Sequence, residues 1–298
     1  MGKKEAKLSV GAINITLHPH SPETYVKLFR RANKQKVIAN IGHRQSALIT
    51  AVSKANMGDR HDDSPIVGDL VRFSEIDLDG AWFNLTESKI ADDYEVDAIS
   101  IPEHLKPNTT RFSFVFIPSS HLLFYEAYSY GDKLSAGAAV KAFDRILNDE
   151  SLTEMFGEVE VTHIPEVDAL ETALRLPVIS NLKLIVNRPN ADHFDEAEKK
   201  FLEKMNARNL REISEEQKAV KGQTIIVDED TKEKAKIAQH NGRVDVKGKD
   251  IHNRAVDFST ISHPLVEDYF YEPEVETAAD FLFRMAVKLV EKIKGRRP

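Results

Sequence analysis

The sequence contains no cysteine and no long hydrophobic run. Without cysteine there is no disulfide, no thiolate metal site and no cysteine nucleophile. The longest apolar runs, such as residues 112–116 and 182–186, have the length of a strand, whereas a membrane span needs about 20 apolar residues. The first residues also lack the apolar core of a signal peptide. We therefore expect a cytoplasmic protein with no membrane partner.

Recognisable catalytic patterns are missing as well. There is no Gly-x-Ser-x-Gly elbow, no Walker loop and no Gly-x-Gly-x-x-Gly fingerprint. His18 and His20 flank Pro19, and His43 and His61 follow, but no spacing fixes a third metal ligand. These absences disfavour an enzyme, and we expect neither a metal nor another cofactor.

What the sequence does contain is the pattern of a folded α+β protein. Of its 298 residues 41% are hydrophobic and 30% are charged, which suits a chain with a core. Strand and helix patterns mix without a regular β-α-β order, which indicates largely antiparallel sheets with packed helices. We predict two α+β halves, residues 1–165 and 166–298, the second ending in a long amphipathic helix. The predicted helices are 22–35, 135–148, 167–176, 195–206, 231–240 and 277–294, and the predicted strands are 8–17, 46–56, 66–76, 111–117, 121–128, 157–164, 181–187, 211–219, 224–227, 244–246, 255–259 and 266–271.

Charge is strongly segregated along the chain, although the net charge is only −7. Residues 24–58 contain no Asp or Glu, whereas residues 59–103 are rich in both. Helical spacing of the cations predicts a basic stripe that would contact nucleic-acid phosphates without reading sequence. The alternative is a helix face that is simply charged and solvated, with or without pairing to the acidic stretch that follows. The predicted phosphate contacts are Lys27, Arg30, Arg31, Lys34, Lys36 and Arg44.

A second hypothesis is a metal-dependent nuclease. Asp245-Val246-Lys247 lies in a predicted strand, so the carboxylate and the ammonium would share one face, with Asp228 or Asp230 as an upstream acid. Carboxylates in such a pattern hold Mg²⁺, and the lysine orients the attacking water. The alternative is two solvent-facing residues on a strand.

A third hypothesis is a protein–protein module. Its acidic face, residues 59–103, would meet a basic partner protein or imitate DNA. The terminal helix and the exposed strand edges are natural pairing surfaces, so a homodimer is also expected.

Six short segments stand out as a set. They are Ile15–Pro22 (ITLHPHSP), Trp82–Asn84 (WFN), Ile101–Asn108 (IPEHLKPN), Asn187–Asn190 (NRPN), Asn206–Arg208 (NAR) and Ser259–Thr260 (ST). Together they span nearly the whole chain and resemble an uncharacterised bacterial family, a full-length domain of unknown function. The resemblance implies an accessory-genome protein tied to phage defence, and it brings no catalytic residues.

The second half is also similar in its order of elements to the phage lambda Rex exclusion A protein, a DNA-binding exclusion factor. The likeness is one of arrangement and not of motif. The charge asymmetry of residues 24–58 is the main motive for the leading hypothesis, a non-catalytic nucleic-acid-binding or sensing component of a bacterial anti-phage defence system.

Overall fold

The computed structural model of the chain describes residues 5–18, 21–55, 64–129, 131–166, 168–188 and 196–294. Helices and antiparallel strands share these residues, which confirms the predicted α+β class. The strands are β1 (Ala6–Leu17), β2 (Ala39–Gly42), β3 (Gln45–Lys54), β4 (Ile66–Ser74), β5 (Phe83–Asn84), β6 (Lys89–Ile90), β7 (Thr110–Ile117), β8 (Leu122–Glu126), β9 (Tyr128–Ser129), β10 (Asp132–Lys133), β11 (Val159–His163), β12 (Val178–Asn187), β13 (Glu212–Lys218), β14 (Gly242–Lys249), β15 (Ala255–Ser259) and β16 (Val266–Tyr271). The helices are α1 (Pro22–Gln35), α2 (Asp93–Asp97), α3 (Ala136–Leu147), α4 (Glu150–Phe156), α5 (Ala169–Leu174), α6 (Glu196–Ala207), α7 (Glu229–Asn241) and α8 (Ala278–Lys294).

Helix α1 begins and ends where the sequence predicts. The side chain of Ser21 accepts a hydrogen bond from the Thr24 N–H at 3.1 Å, and Pro22 occupies the first helical position. Lys36 closes the helix in the left-handed conformation, with φ of 51°, and its N–H reaches the carbonyls of Ala32 and Asn33. Both ends of the helix are thus set by local sequence.

The large sheet is built around β1. Its strand order is β11-β1-β8-β7-β4-β3-β2, and every pairing is antiparallel. β1 is long enough to take two partners on the same edge: residues 13–17 pair with β11, and residues 6–11 pair with β16.

The side chains of β1 alternate between two hydrophobic layers. Ile13, Ile15 and Leu17 join the core beneath α1 and α3, and Leu8, Val10 and Ala12 join the core beneath α8. This is the period of two that a strand buried on both faces requires. The large sheet therefore lies between two helical layers.

A smaller sheet, in the order β13-β12-β14-β15, carries α7 on one face. Leu182, Leu184, Val244 and Val246 are buried against that helix. The intervening residues of β12 and β14 project from the opposite face of this sheet.

The last elements of the chain return to the large sheet. β16 pairs with β1, and α8 packs on β1, β7 and β8, although both lie within the predicted second half, 166–298. The small sheet with α5, α6 and α7 is thus an excursion between β11 and β16. Within the described ranges, no helix is long and apolar enough to cross a membrane.

Residues 224–227, which the sequence predicts as a strand, form none, and that prediction was wrong. Ile225 donates its N–H to the Ile179 carbonyl at 2.9 Å, and the Ile179 N–H donates to the Thr224 hydroxyl at 2.8 Å. In a strand pair the Ile179 N–H would donate to a backbone carbonyl. Here the Thr224 hydroxyl accepts it instead, so no strand pairing forms. The edge strand β2 and the short helices α2 and α4 were not predicted, because four to seven residues are too few to show a period.

Tyr25 is the polar centre of the contact between α1 and the large sheet. Its ring is fully buried and lies 5.1 Å from the ring of Phe116, centroid to centroid. Its hydroxyl accepts the Leu17 N–H at 3.0 Å, donates to the Ile15 carbonyl at 3.3 Å and lies 3.1 Å from Nδ1 of His121. The hydroxyl thereby ties the helix to the end of β1.

We predict that Tyr25→Phe destabilises the fold. The change keeps the ring but leaves the buried Leu17 N–H without its acceptor, so the free energy of unfolding should fall by about 1–3 kcal/mol in urea denaturation. Tyr128→Phe is the control. Tyr128 is 46% exposed, so removal of its hydroxyl should change the free energy of unfolding by about 0.5 kcal/mol or less. Equal stability of the two variants would contradict the role given to the Tyr25 hydroxyl.

Candidate functional site

The outward side of α1 carries a row of exposed cations. The helix buries Tyr25, Leu28, Phe29 and Ala32, spaced by three and four residues. Val26 is buried beside them, and the residues on the opposite side of this stripe point to solvent. The exposed cations of this side are Lys27, Arg30, Arg31 and Lys34.

Ion pairing divides the six predicted phosphate contacts into two groups. Lys27 pairs with Glu23 one turn earlier on the helix, and Arg44 pairs with Asp77 at 3.2 Å. Within the part of the chain that the structure describes, the other four form no ion pair. These four, Arg30, Arg31, Lys34 and Lys36, keep their full charge available for a ligand.

Helix α3 adds two cations that the sequence reasoning missed. Lys141 and Arg145 are exposed and lie one turn apart. The Arg145 guanidinium donates to the Asn40 carbonyl on β2, and Nζ of Lys141 lies close to Gly42. Their spacing of four within a predicted helix was the available signal. We call the set Arg30, Arg31, Lys34, Lys36, Lys141 and Arg145 the basic face.

The acidic stretch folds mainly as an excursion between β4 and β7. We call residues 75–109 the acidic insertion; they contain nine Asp or Glu and two Lys, a formal charge of −7 that equals that of the whole chain. Lys106 pairs with Glu75 at 2.7 Å at its base, beside the Arg44–Asp77 pair. Residues 59–63, which belong to the predicted acidic face, lie outside the described residues.

Large apolar side chains are also exposed on the acidic insertion. Leu85 and Tyr94 are each 85% exposed, and α2 buries none of its residues. Exposed apolar side chains that cluster in one segment are typical of protein contact surfaces. The others of this segment are Ile76, Leu78, Phe83, Ile90 and Leu105.

The residues of the nuclease hypothesis lie on two sides of the small sheet. Asp245 accepts from the Ser259 hydroxyl at 2.6 Å and pairs with Arg243, and Lys247 pairs with Asp257 at 3.0 Å, all on the face away from α7. Asp228 caps α7, where its carboxylate accepts the Thr231 N–H at 2.8 Å. The sheet therefore separates Asp228 from the other two.

Of the four histidines considered as metal ligands, the structure describes His18 and His43, and these two follow different strands. His18 lies at the end of β1 with Nε2 3.2 Å from the Arg188 carbonyl, and His43 is exposed in the turn after β2. His20 and His61 lie outside the described residues. No group of three or more His, Asp or Glu suited to a metal occurs among the residues that the structure does describe.

A polar cleft at the junction of the two sheets was not predicted. It has a volume of about 380 Å³, and its lining comes from four separate stretches of chain. Three of the segments that carry the family resemblance meet there, through His18, Arg188 and Asn206. The convergence of distant segments cannot be read from spacing along the chain. We call this cavity the junction cleft.

Comparison with known proteins gives one description. A protein-family model described as Domain of unknown function (DUF4747) matches residues 6–290, from the start of β1 into α8. A search of curated proteins finds no match to the chain. The basic face, the acidic insertion and the junction cleft all lie within the matched residues.

Substitution of the exposed cations of the basic face should leave the stability of the fold almost unchanged. Arg30 and Arg31 are exposed and form no ion pair in the described structure, so we expect Arg30→Glu with Arg31→Glu to change the free energy of unfolding by at most about 0.5 kcal/mol per site. Thermal and urea denaturation would measure this. A loss of cooperative unfolding would show that these side chains support the core.

Proposed function

The chain belongs to the DUF4747 family, and we propose that it binds nucleic acid through the phosphate backbone, using the basic face. The observation that carries the proposal is the set of exposed, unpaired cations on α1. Most cations that flank the acidic insertion or the small sheet are held by carboxylates, for example Lys106 by Glu75 and Lys247 by Asp257. Cations without intramolecular partners are the groups that can neutralise phosphates.

The cations of the basic face share one side of the molecule. α1 and α3 both cover the same face of the large sheet and contact one another. Lys36 directly precedes the segment that leads into β2, and Arg145 and Lys141 lie along β2. Lysine and arginine heads on adjacent helices suit contacts to successive phosphates, which fix position without reading bases.

The family resemblance extends this proposal to a sensing role in a bacterial anti-phage defence system. Its motivation is the resemblance alone, and recruitment of the protein to phage nucleic acid during infection would test it. A cell in which the Arg30→Glu/Arg31→Glu variant protects against phage as well as the wild-type chain would contradict it.

We predict salt-dependent binding of labelled duplex DNA or single-stranded RNA, measured by fluorescence anisotropy over a salt series. Each phosphate contact contributes about 0.9 to the slope of log affinity against log salt on duplex DNA. Arg30→Glu with Arg31→Glu should lower that slope by about 2 and weaken binding at low salt by at least about tenfold.

The matched control is Lys221→Glu with Lys288→Glu. Both lysines are exposed and without an ion pair among the described residues. Lys288 lies on α8, on the opposite face of the large sheet from α1 and α3, and Lys221 follows β13 of the small sheet. The control changes the net charge by the same amount. If the basic face is the binding surface, the control should therefore lose much less affinity for nucleic acid. Equal losses in the two double variants, or no binding at low salt, would refute the basic face as the binding surface.

The same assay distinguishes the nuclease hypothesis. With Mg²⁺ present, intact nucleic acid is expected, because Asp245 and Lys247 are already engaged by Ser259, Arg243 and Asp257. If the nucleic acid is cleaved only with Mg²⁺, and the Asp245→Ala variant does not cleave it, the protein is a nuclease and the binding proposal is wrong.

A second candidate function is docking of a protein partner on the acidic insertion. Its motivation is the coincidence of charge and exposed apolar area: the segment combines a charge of −7 with Leu85 and Tyr94 almost fully in solvent. A basic partner segment with apolar side chains would satisfy both features.

We predict that Leu85→Ser with Tyr94→Ser removes a protein that co-purifies with the tagged chain from its own host cells. The control is Ile226→Ser with Ile251→Ser, whose side chains are 86% and 81% exposed outside the insertion. Mass spectrometry of the recovered proteins gives the comparison. Identical recovery with both double variants would exclude the insertion as the docking surface.

A further inference from the structure

The junction cleft lies between the end of β1, the start of β11 and the ends of β12 and α6. Its volume of about 380 Å³ falls within the range of small-molecule sites, roughly 300–1,000 Å³. Sites of this kind occur preferentially where two structural units meet. Its lining includes His18, Glu158, Glu160, Arg188, Asn206 and Arg211.

Two carboxylates and one arginine of the cleft satisfy each other. Arg211 places Nη1 2.7 Å from Glu158 and Nε 2.8 Å from Glu160. The nearby Glu160 raises the pKa of the Arg211 guanidinium, and the Asn187 amide donates to the other Glu160 oxygen at 3.4 Å. The charges of Glu158, Glu160 and Arg211 are therefore paired with one another.

Arg188 is the exception in this cleft. Its backbone is held on both sides: its N–H donates to the Arg211 carbonyl at 3.0 Å, and its carbonyl lies 3.2 Å from Nε2 of His18. Its side chain is half-buried, and Nε is shielded from solvent without an acceptor. Among the described residues it makes no ion pair. A guanidinium is always charged, and an N–H that is shielded from water without an acceptor is costly, so an anion bound beside Arg188 would be stabilising.

We propose that the junction cleft binds a small phosphate-bearing ligand, with its phosphate on the Arg188 guanidinium. A guanidinium presents a planar fork of donors that matches phosphate oxygens in pairs. The cleft's own carboxylates cannot fill this role, because Arg211 already holds both. Asn206 and the half-buried Leu210, which also lines the cleft, offer one polar and one apolar contact for the body of the ligand.

This inference does not rest on the proposed nucleic-acid function. The phosphate has two possible sources: a free phosphate ester, such as a mononucleotide, or the phosphorylated end of a nucleic-acid strand. Both present the same group to Arg188, and they differ in what the rest of the ligand contacts. The experiment therefore uses both.

Isothermal titration calorimetry with orthophosphate and with adenosine 5′-monophosphate tests the free ligand. We expect the wild-type chain to bind at least one of them, and Arg188→Gln to weaken that binding by at least about tenfold. Arg208→Gln is the matched control, because Arg208 is exposed near the cleft but does not line it, and it should bind as the wild type does.

Anisotropy with oligonucleotides that end in a 5′-phosphate or a 5′-hydroxyl tests the strand end. Tighter binding of the phosphorylated form by the wild type, and not by Arg188→Gln, assigns the cleft to strand ends. Binding of the mononucleotide, with no difference between the two oligonucleotides, assigns it to free esters. Either result supports the site.

A measurement on the wild-type chain covers the case in which Arg188→Gln does not fold. Phenylglyoxal modifies accessible arginines, and bound adenosine 5′-monophosphate or 5′-phosphorylated oligonucleotide should protect Arg188 while Arg208 stays reactive, as mass spectrometry would show. The inference is overturned if no phosphate probe binds, or if binding neither depends on Arg188 nor protects it. Arg30→Glu/Arg31→Glu should keep phosphate binding, so failure of the cleft and failure of the basic face are distinguishable.

Discussion

The packing of α1 on the large sheet is the contact on which the basic face depends. The Phe29 ring stacks on the Phe116 ring, with 5.0 Å between centroids, and its centroid lies 6.5 Å from that of Phe143. The apolar stripe of the helix is therefore buried in the core. Burying one such ring contributes about 1.5–3 kcal/mol, whereas like charges one turn apart on a helix cost about 0.2–0.5 kcal/mol. The aromatic stripe therefore decides the orientation of the helix, and the cations between its positions are held in solvent despite their mutual repulsion.

The same alternation of faces explains the surroundings of Asp245 and Lys247. Val244 and Val246 must face α7, so the residues between them project from the other side of the small sheet. Neighbouring strands then supply partners in register: Ser259 lies opposite Asp245, and Asp257 lies opposite Lys247. An acid and a lysine two residues apart on a strand are thus accounted for by ordinary cross-strand pairing.

Local signals in the sequence predicted much of the fold and only part of the candidate sites. Ser21 and Pro22 predicted the start of α1, and local patterns predicted β15 and β16, because these features depend on neighbours in sequence. Partners distant in sequence were not predictable in the same way. The Arg44–Asp77 pair joins residues 33 positions apart. In the junction cleft, Arg188 lies beside His18 only because the folded topology brings the ends of β1 and β12 together.

The separation of charge in the sequence survives in the folded chain, and this bears on the alternative that the acidic stretch neutralises the basic helix. If it did, carboxylates of the acidic insertion would pair with Arg30, Arg31 or Lys34. The ion pairs that the described residues show at its base instead involve Arg44 with Asp77 and Lys106 with Glu75. Among the residues that the structure describes, the basic face and the acidic insertion are thus both still short of counter-charge. A surface in that state gains most from a partner of opposite sign, since such complementarity speeds encounter and fixes orientation.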